Sequence, residues 1–232
     1  MAGETIKSSG ICLRISPWSQ TSHVVAWITP HGRLNTLVKG AVRPKSAFLG
    51  QYDLNYSCEI VYYARGLGEL RTLKESWPTS LRPELREDLP SLALADRFRR
   101  LVELICPNGP DAASWYSLLG SSLDALVDNL QKDAENRINP LALLVDFEMK
   151  ILDLAGISPE ISGGEGAFYL RGERKIPVLR DVARTLQAPL REKNIAFLLD
   201  AARVIGVFYQ FHVDNGVEGR RQVLQLISKF NY

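Results

Sequence analysis

WITPHGRLNTLVKGAVRPK, residues 27–45, decides how the chain reads. Two strand-like segments meet at a Pro30-His31-Gly32 turn. Val24, Ala26 and Ile28 alternate with Val25 and Trp27 before it; Arg33, Asn35, Leu37 and Lys39 alternate with Leu34, Thr36 and Val38 after it. Alternation with period two is the pattern of a sheet with one face in a core. Gly40 breaks the second segment, and a short arm follows with Arg43 and Lys45. Cations on and beside a small strand-rich module suit a surface that grips polyanions, and that points to nucleic acid before it points to an enzyme.

Three more segments alternate in the same way. Ile11, Leu13 and Ile15 alternate with Cys12 and Arg14. Tyr56, Cys58, Ile60 and Tyr62 alternate with Ser57, Glu59, Val61 and Tyr63, and Leu70, Thr72 and Lys74 with Arg71 and Leu73. Breaks fall at Pro17, at residues 30–32 and 40–50, and at Gly66 with Gly68. Five short strands with a longer excursion after the third suit a small closed Greek-key barrel. The OB-fold is such a barrel and binds oligonucleotides on strands 2–3 and on loops 1-2 and 4-5. On that mapping, loop 1-2 is residues 16–23 and holds Trp18; loop 4-5 is residues 64–68 and holds Arg65. An SH3-like barrel has the same strand count and stays open as an alternative.

After Pro78 the period changes. Residues 89–106 read as a helix stopped by Pro107, and Asp111 as the N-cap of a helix to about Leu130. Asn139-Pro140 is a cap-plus-first-turn signal for a helix over 141–155, closed by Gly156. Residues 190–215 and 218–230 read as two more helices. Between the 141–155 and 190–215 helices, 159–177 is Gly-rich and irregular, with a short β-element expected at 167–170. The expected fold class is α+β multidomain. A five-stranded barrel over 1–80 is followed by an α-helical domain over 81–232, with an irregular insertion near 157–177.

The chain has 232 residues, 46% hydrophobic and 23% charged, which is enough for a real core. The net charge of +2 hides an asymmetry: residues 1–80 hold nine Lys/Arg against five Asp/Glu, whereas 81–232 hold nineteen against twenty-one. Cys12, Cys58 and Cys106 are scattered, and none has zinc-ligand spacing; they read as small apolar residues in a reducing compartment. There is no apolar leader in MAGETIKSSG, and no run approaches the ~20 apolar residues of a membrane helix. A cytoplasmic, nucleoid-associated protein is expected.

Catalytic chemistry finds little support. His23, His31 and His212 are isolated, with no companion for a triad or ligand set. Asp146 and Glu148, two apart on a helix, point to different faces. The Gly163-Gly164-x-Gly166 run lacks the Lys-Ser/Thr of a phosphate-binding loop. No enzyme activity, cofactor or metal is expected.

Several motifs resemble the RecO family of bacterial recombination mediators. GICLR at 10–14 looks like its opening strand, TPHGRL at 29–34 like its second-to-third strand turn, and KGAVRPKS at 39–46 like its basic segment after strand three. RGLGEL at 65–70 looks like its fourth-to-fifth strand turn, and ILDLAGISP at 151–159 like a helix end in its C-terminal domain. Order and spacing agree over nearly the whole chain. Two departures stand out. Many members carry a four-cysteine zinc site after the Gly-x-x-Pro element, but here residues 160–166 read EISGGEG and hold no cysteine, which excludes that ligand set. The loop after strand one also has Gln20 where an acidic residue is usual.

Together, the barrel and the resemblance nominate Arg33, Lys39, Arg43 and Lys45 for phosphate contacts. For Arg14, Arg65 and Arg71 a phosphate contact and a solvated cation are equal readings. Trp18 either stacks on a base or plugs one end of the barrel. The long helix before residue 215 is apolar on more than one side. It reads as a core helix or as one wall of a groove for a partner peptide. The resemblance implies the acidic tail of the single-stranded DNA-binding protein as that peptide, with Phe208, Phe211, Arg220 and Arg221 receiving it. It also implies a RecR-like partner and a mediator that anneals strands and loads a recombinase on coated single strands. The alternative is an adapter whose barrel binds a protein rather than single- or double-stranded DNA.

Overall fold

The computed structural model describes residues 4–109, 112–159, 167–171 and 174–229. Backbone proximity divides the chain into two units. One is Met1–Pro83 with Cys106–Asp124; the other is Glu84–Ile105 with Ala125–Tyr232. The chain therefore passes from one unit to the other three times, where the sequence suggested one boundary at residue 80.

Five strands close into the barrel: β1 (Thr5–Ser19), β2 (Ser22–Thr29), β3 (Gly32–Val38), β4 (Ser57–Leu67) and β5 (Leu70–Ser80). Their order is β1-β2-β3-β5-β4. All neighbours are antiparallel except β3 and β5, which pair in parallel over three residues, Asn35 to Leu37. This arrangement is the OB-fold, so the SH3-like alternative falls.

β1 is long because it serves two partners. Residues 5–11 pair with β4 and 11–19 with β2. Gly10 sits where β1 changes partner. A Cβ there would meet Ile60 Cδ1 and Trp27 Cε3 at 3.3 Å each, so any larger residue would push those two core side chains outward. A bulge between Cys12 and Arg14 makes Leu13 an extra residue. Ile11, Cys12 and Leu13 are therefore buried in succession, and the simple alternation read there breaks. Cys12, Val25, Trp27, Val38, Ala41, Cys58, Ile60 and Leu73 form the barrel core. The Trp27 indole N–H donates to Thr36 Oγ1 at 2.8 Å, so the two buried polar side chains satisfy each other. β5 runs past Pro78, which pairs with Cys58 beside a bulge, where a strand tolerates proline.

The remaining elements are α1 (Leu89–Ile105), α2 (Ala113–Leu130), α3 (Pro140–Leu154), the hairpin β6 (Ala167–Arg171) and β7 (Arg174–Val178), α4 (Arg180–Gln187), α5 (Ile195–His212) and α6 (Arg220–Ile227). Asn139 caps α3 by accepting from Leu141 N, with Pro140 in the first turn, and Gly156 follows its end at φ 68°. The expected segment 190–215 is divided. A 3-10 turn at Pro189–Arg191 comes first, then Asn194 caps α5 by accepting from Ala196 N. α4 was not foreseen. The proposed N-cap Asp111 and the 163–166 glycine run lie outside the described residues.

In the helical unit α3 packs on α1 and α5, and α5 on α4. Phe98 of α1 stacks on Phe147 of α3, ring centroids 3.9 Å apart. By length and composition alone α5 is long and apolar enough to cross a membrane. Its Leu198, Ala201, Ala202, Ile205, Phe208 and Tyr209 are buried, and it reads as the core helix of this unit.

Candidate nucleic-acid interface

β1 ends at Ser19 and β2 begins at Ser22, so the expected long loop 1-2 is a two-residue turn, Gln20-Thr21. The register steps from Pro17↔His23 to Ser19↔Ser22, which leaves Trp18 as the extra residue of a second bulge. It points outward and is 61% exposed, so it does not plug the barrel. That end is filled instead from the β3–β4 connection, whose Ala41 lies in the core and whose Phe48 and Tyr52 pack against it.

The same connection carries the basic arm. Val42 N donates to Thr21 O at 3.3 Å, and Gly40 N to Ser22 Oγ at 3.3 Å, so the arm is tied to the turn beside Trp18. Gly40 holds φ 67°, and Arg43 N donates back to Gly40 O at 3.2 Å. Lys39, Arg43 and Lys45 are exposed, and among the described residues none of them has an acidic partner. Lys7 and Lys74, elsewhere on the barrel, are paired with Glu59 and Glu75.

Arg33 is not part of this cluster. It stands near the start of β3, and Lys39 follows its end. At ~3.3 Å per strand residue they are about 20 Å apart. Arg33, Asn35 and Leu37 rise from one outward face between them, since Leu34 packs against the core and Thr36 and Val38 are buried.

Arg33 instead lines a cleft of about 410 Å³ with His31, Gly32, Leu34, Asn35, Glu69, Arg71, Asn108 and Gly109. A Cβ on Gly32 would lie 2.8 Å from Gly109 O, so glycine at 32 lets the two backbones meet at the wall. Arg33 Nη1 reaches Cys106 O at a long 3.5 Å, and Arg71 Nη1 donates to Gly68 O at 2.6 Å. Arg14 donates to Ser16 Oγ at 2.9 Å, and Arg65 is exposed near the β4–β5 turn. Asn35, Glu69 and Asn108 were not singled out in the sequence, and no local motif marks them.

The helical unit treats its four nominated residues unequally. Arg220 is 5% exposed and bound to the buried carboxylate of Glu148: Nη2 donates to Oε2 at 2.8 Å and Nε to Oε1 at 2.9 Å, and Nη2 also donates to Ala202 O at 2.7 Å. Arg97 binds the same carboxylate, Nη2 to Oε1 at 3.0 Å, and donates to Gly216 O at 2.6 Å and Glu218 O at 3.2 Å. Burial alone would push the Glu148 carboxyl up, but Arg220 and Arg97 together hold it below its ordinary value. Arg220 is thus committed inside the fold and is not a free receiver of a peptide carboxylate. Phe208 is buried against His212. Arg221 is exposed, and Phe211 is 44% exposed.

The thiols are buried, and burial pushes Cys58 up to about 11 and raises Cys106. Cys58 and Cys106 are therefore poor nucleophiles and poor metal ligands at neutral pH. Among the described residues no three His, Cys, Asp or Glu side chains converge as a metal site. Residues 160–166 lie outside the described residues, but their sequence lacks cysteine and histidine, so it does not fit the zinc site of the resemblance.

Residues 86–164 match the family model described as Recombination protein O C terminal. The chain is similar to "DNA repair protein RecO" of Alkaliphilus metalliredigens, 30% identical over 159 residues, covering 68% of this chain and 61% of that protein. The protein of the same name from Salinibacter ruber is 27% identical over 157 residues, 67% of this chain and 58% of the relative. That from Symbiobacterium thermophilum is 28% identical over 182 residues, 75% and 67% of the two chains. The chain thus spans about three fifths of the length of the first two relatives. An OB-fold barrel followed by helices, a C-terminal family match over residues 86–164 and several relatives of one name agree: the chain is similar to proteins of the RecO family.

Proposed function

We propose that this chain is a DNA-binding recombination mediator in DNA repair. It holds single and double strands by their phosphates, helps complementary strands anneal, and helps load a recombinase where single-strand-binding protein coats the DNA. The observation that carries this reading is the unpaired basic arm, Lys39, Arg43 and Lys45, fixed beside the exposed ring of Trp18. Cations without acidic partners lower the cost of bringing phosphates close, and an exposed indole offers a stacking face to any base. The relatives' name, DNA repair protein RecO, supports the same role.

No step makes or breaks a covalent bond in this mechanism. The surface neutralises phosphate charge on strands that would otherwise repel each other, and it aligns them. A RecR-like partner and the tail of the single-strand-binding protein complete the assembly. With Arg220 and Phe208 inside the fold, Arg221 and Phe211 are the two nominated residues that a tail can reach.

A second reading, a protein adapter, has Val42 and Leu49 in its favour, both exposed on the same connection. Fluorescence anisotropy of a labelled single-stranded oligonucleotide over a range of salt separates the two. Counterion release from four or five phosphate contacts predicts a log–log slope of about −3. A flat salt response, or no binding at low salt, favours the adapter.

A further inference from the structure

The arm beside Trp18 accounts for affinity without sequence, but the cleft at the other end of β3 has a different chemistry. It holds two guanidinium groups, one carboxylate, two primary amides and an imidazole around about 410 Å³. That volume lies in the ordinary range for small ligands, ~300–1,000 Å³. A bare phosphate would want donors only, and Glu69 would repel it. A ligand with a phosphate at one end and a base edge offering both donors and acceptors would use the guanidinium groups, the amides and the carboxylate together.

The amides of Asn35 and Asn108 make no hydrogen bond among the described residues. Asn35 shares the outward face of β3 with Arg33, on the path between the cleft and the basic arm. Asparagine pairs in two-point fashion with the N6/N7 edge of adenine, and a carboxylate accepts from an exocyclic amine. Thymine has no such amine to offer Glu69.

We propose that this cleft receives one nucleotide of a bound single strand and reads its base, with adenine preferred over thymine. The inference rests on the DNA-binding reading above and adds to it a single reading position within a surface otherwise driven by phosphates. Arg33 and Arg71 hold the phosphate, Asn35 and Asn108 meet the base edge, and Glu69 takes the amine. The Gly32–Gly109 contact closes the wall behind the nucleotide.

The test is anisotropy at one fixed salt concentration with oligo-dA and oligo-dT of about eight nucleotides, long enough to cover a ~20 Å path. Three proteins are compared: the unmodified chain, the double variant Asn35→Ala/Asn108→Ala, and the triple variant Lys39→Ala/Arg43→Ala/Lys45→Ala. The unmodified chain should favour oligo-dA by at least about fivefold, the lower end of what one two-point contact gives. The double variant should lose that preference and keep its affinity for oligo-dT, with an unchanged circular-dichroism melting curve as the folding control. The triple variant should bind both oligonucleotides more weakly at the original ratio. Equal affinities in the unmodified chain, or a ratio that survives in the double variant, would overturn the reading position and leave the phosphate-gripping surface standing. Absence of binding to either oligonucleotide at low salt would remove both.

Discussion

Glu148 is the residue on which the helical unit turns. It is fully buried, and its two oxygens receive five hydrogen bonds from Arg97 and Arg220. Arg97 also lies over the ring of Tyr209, 5.5 Å from its centroid. Two cations face one anion, so the excess positive charge rests on the carbonyls of Ala202, Gly216 and Glu218. Glu148→Gln keeps the volume but leaves both guanidinium groups buried without a counter-charge. It should cost about 3–5 kcal/mol in chemical denaturation, as breaking one side of a buried ion pair does. Arg221→Ala, at an exposed neighbour of Arg220, should stay within about 0.5 kcal/mol. A loss of similar size in both would show that the buried cluster is not what holds α6.

The β3–β4 connection is the element that carries the nominated DNA contacts. Each cation at a phosphate adds about 0.7 to the slope of log affinity against log salt for single strands. Lys39→Ala/Arg43→Ala/Lys45→Ala should therefore flatten that slope by about 2 and leave the melting curve unchanged; an unaltered slope would take the arm out of the interface. Much at this scale was legible in the sequence. The Pro30-His31-Gly32 turn, the alternation on both sides of it and the Asn139-Pro140 cap follow local rules, and local rules decide them. The sequence pattern puts Trp18 in loop 1-2, whereas it lies in β1 at a bulge, and nothing in the local pattern marks where the phase slips. α4 escaped notice because eight residues give barely two turns of periodicity. The cleft was invisible for a different reason: Arg33 meets a segment 73 residues away, and only tertiary packing brings Asn108 beside Asn35.

At the scale of the whole molecule, the Glu148 cluster ties stability to pH. Its carboxyl titrates lower in the folded chain than its ordinary 4.5, so the unfolded chain takes up the proton first. The contribution is complete above that ordinary value and disappears as pH falls through the depressed one. Denaturation midpoints should therefore drop below about pH 4.5 in the native chain, and more steeply than in Glu148→Gln, which has lost this titration. Parallel curves would assign the acid sensitivity to other carboxylates. The three passages of the backbone between the units have a consequence for taking the protein apart. The barrel's own unit includes residues 106–124, and the position a Gly120 Cβ would take lies 3.5 Å from the Ile11 side chain. A recombinant piece ending at residue 83 would lack that cover and should aggregate or melt early, although all five strands are present. Gene shuffling faces the same obstacle: no single crossover point can move the barrel's whole unit, residues 1–83 with 106–124, into another protein.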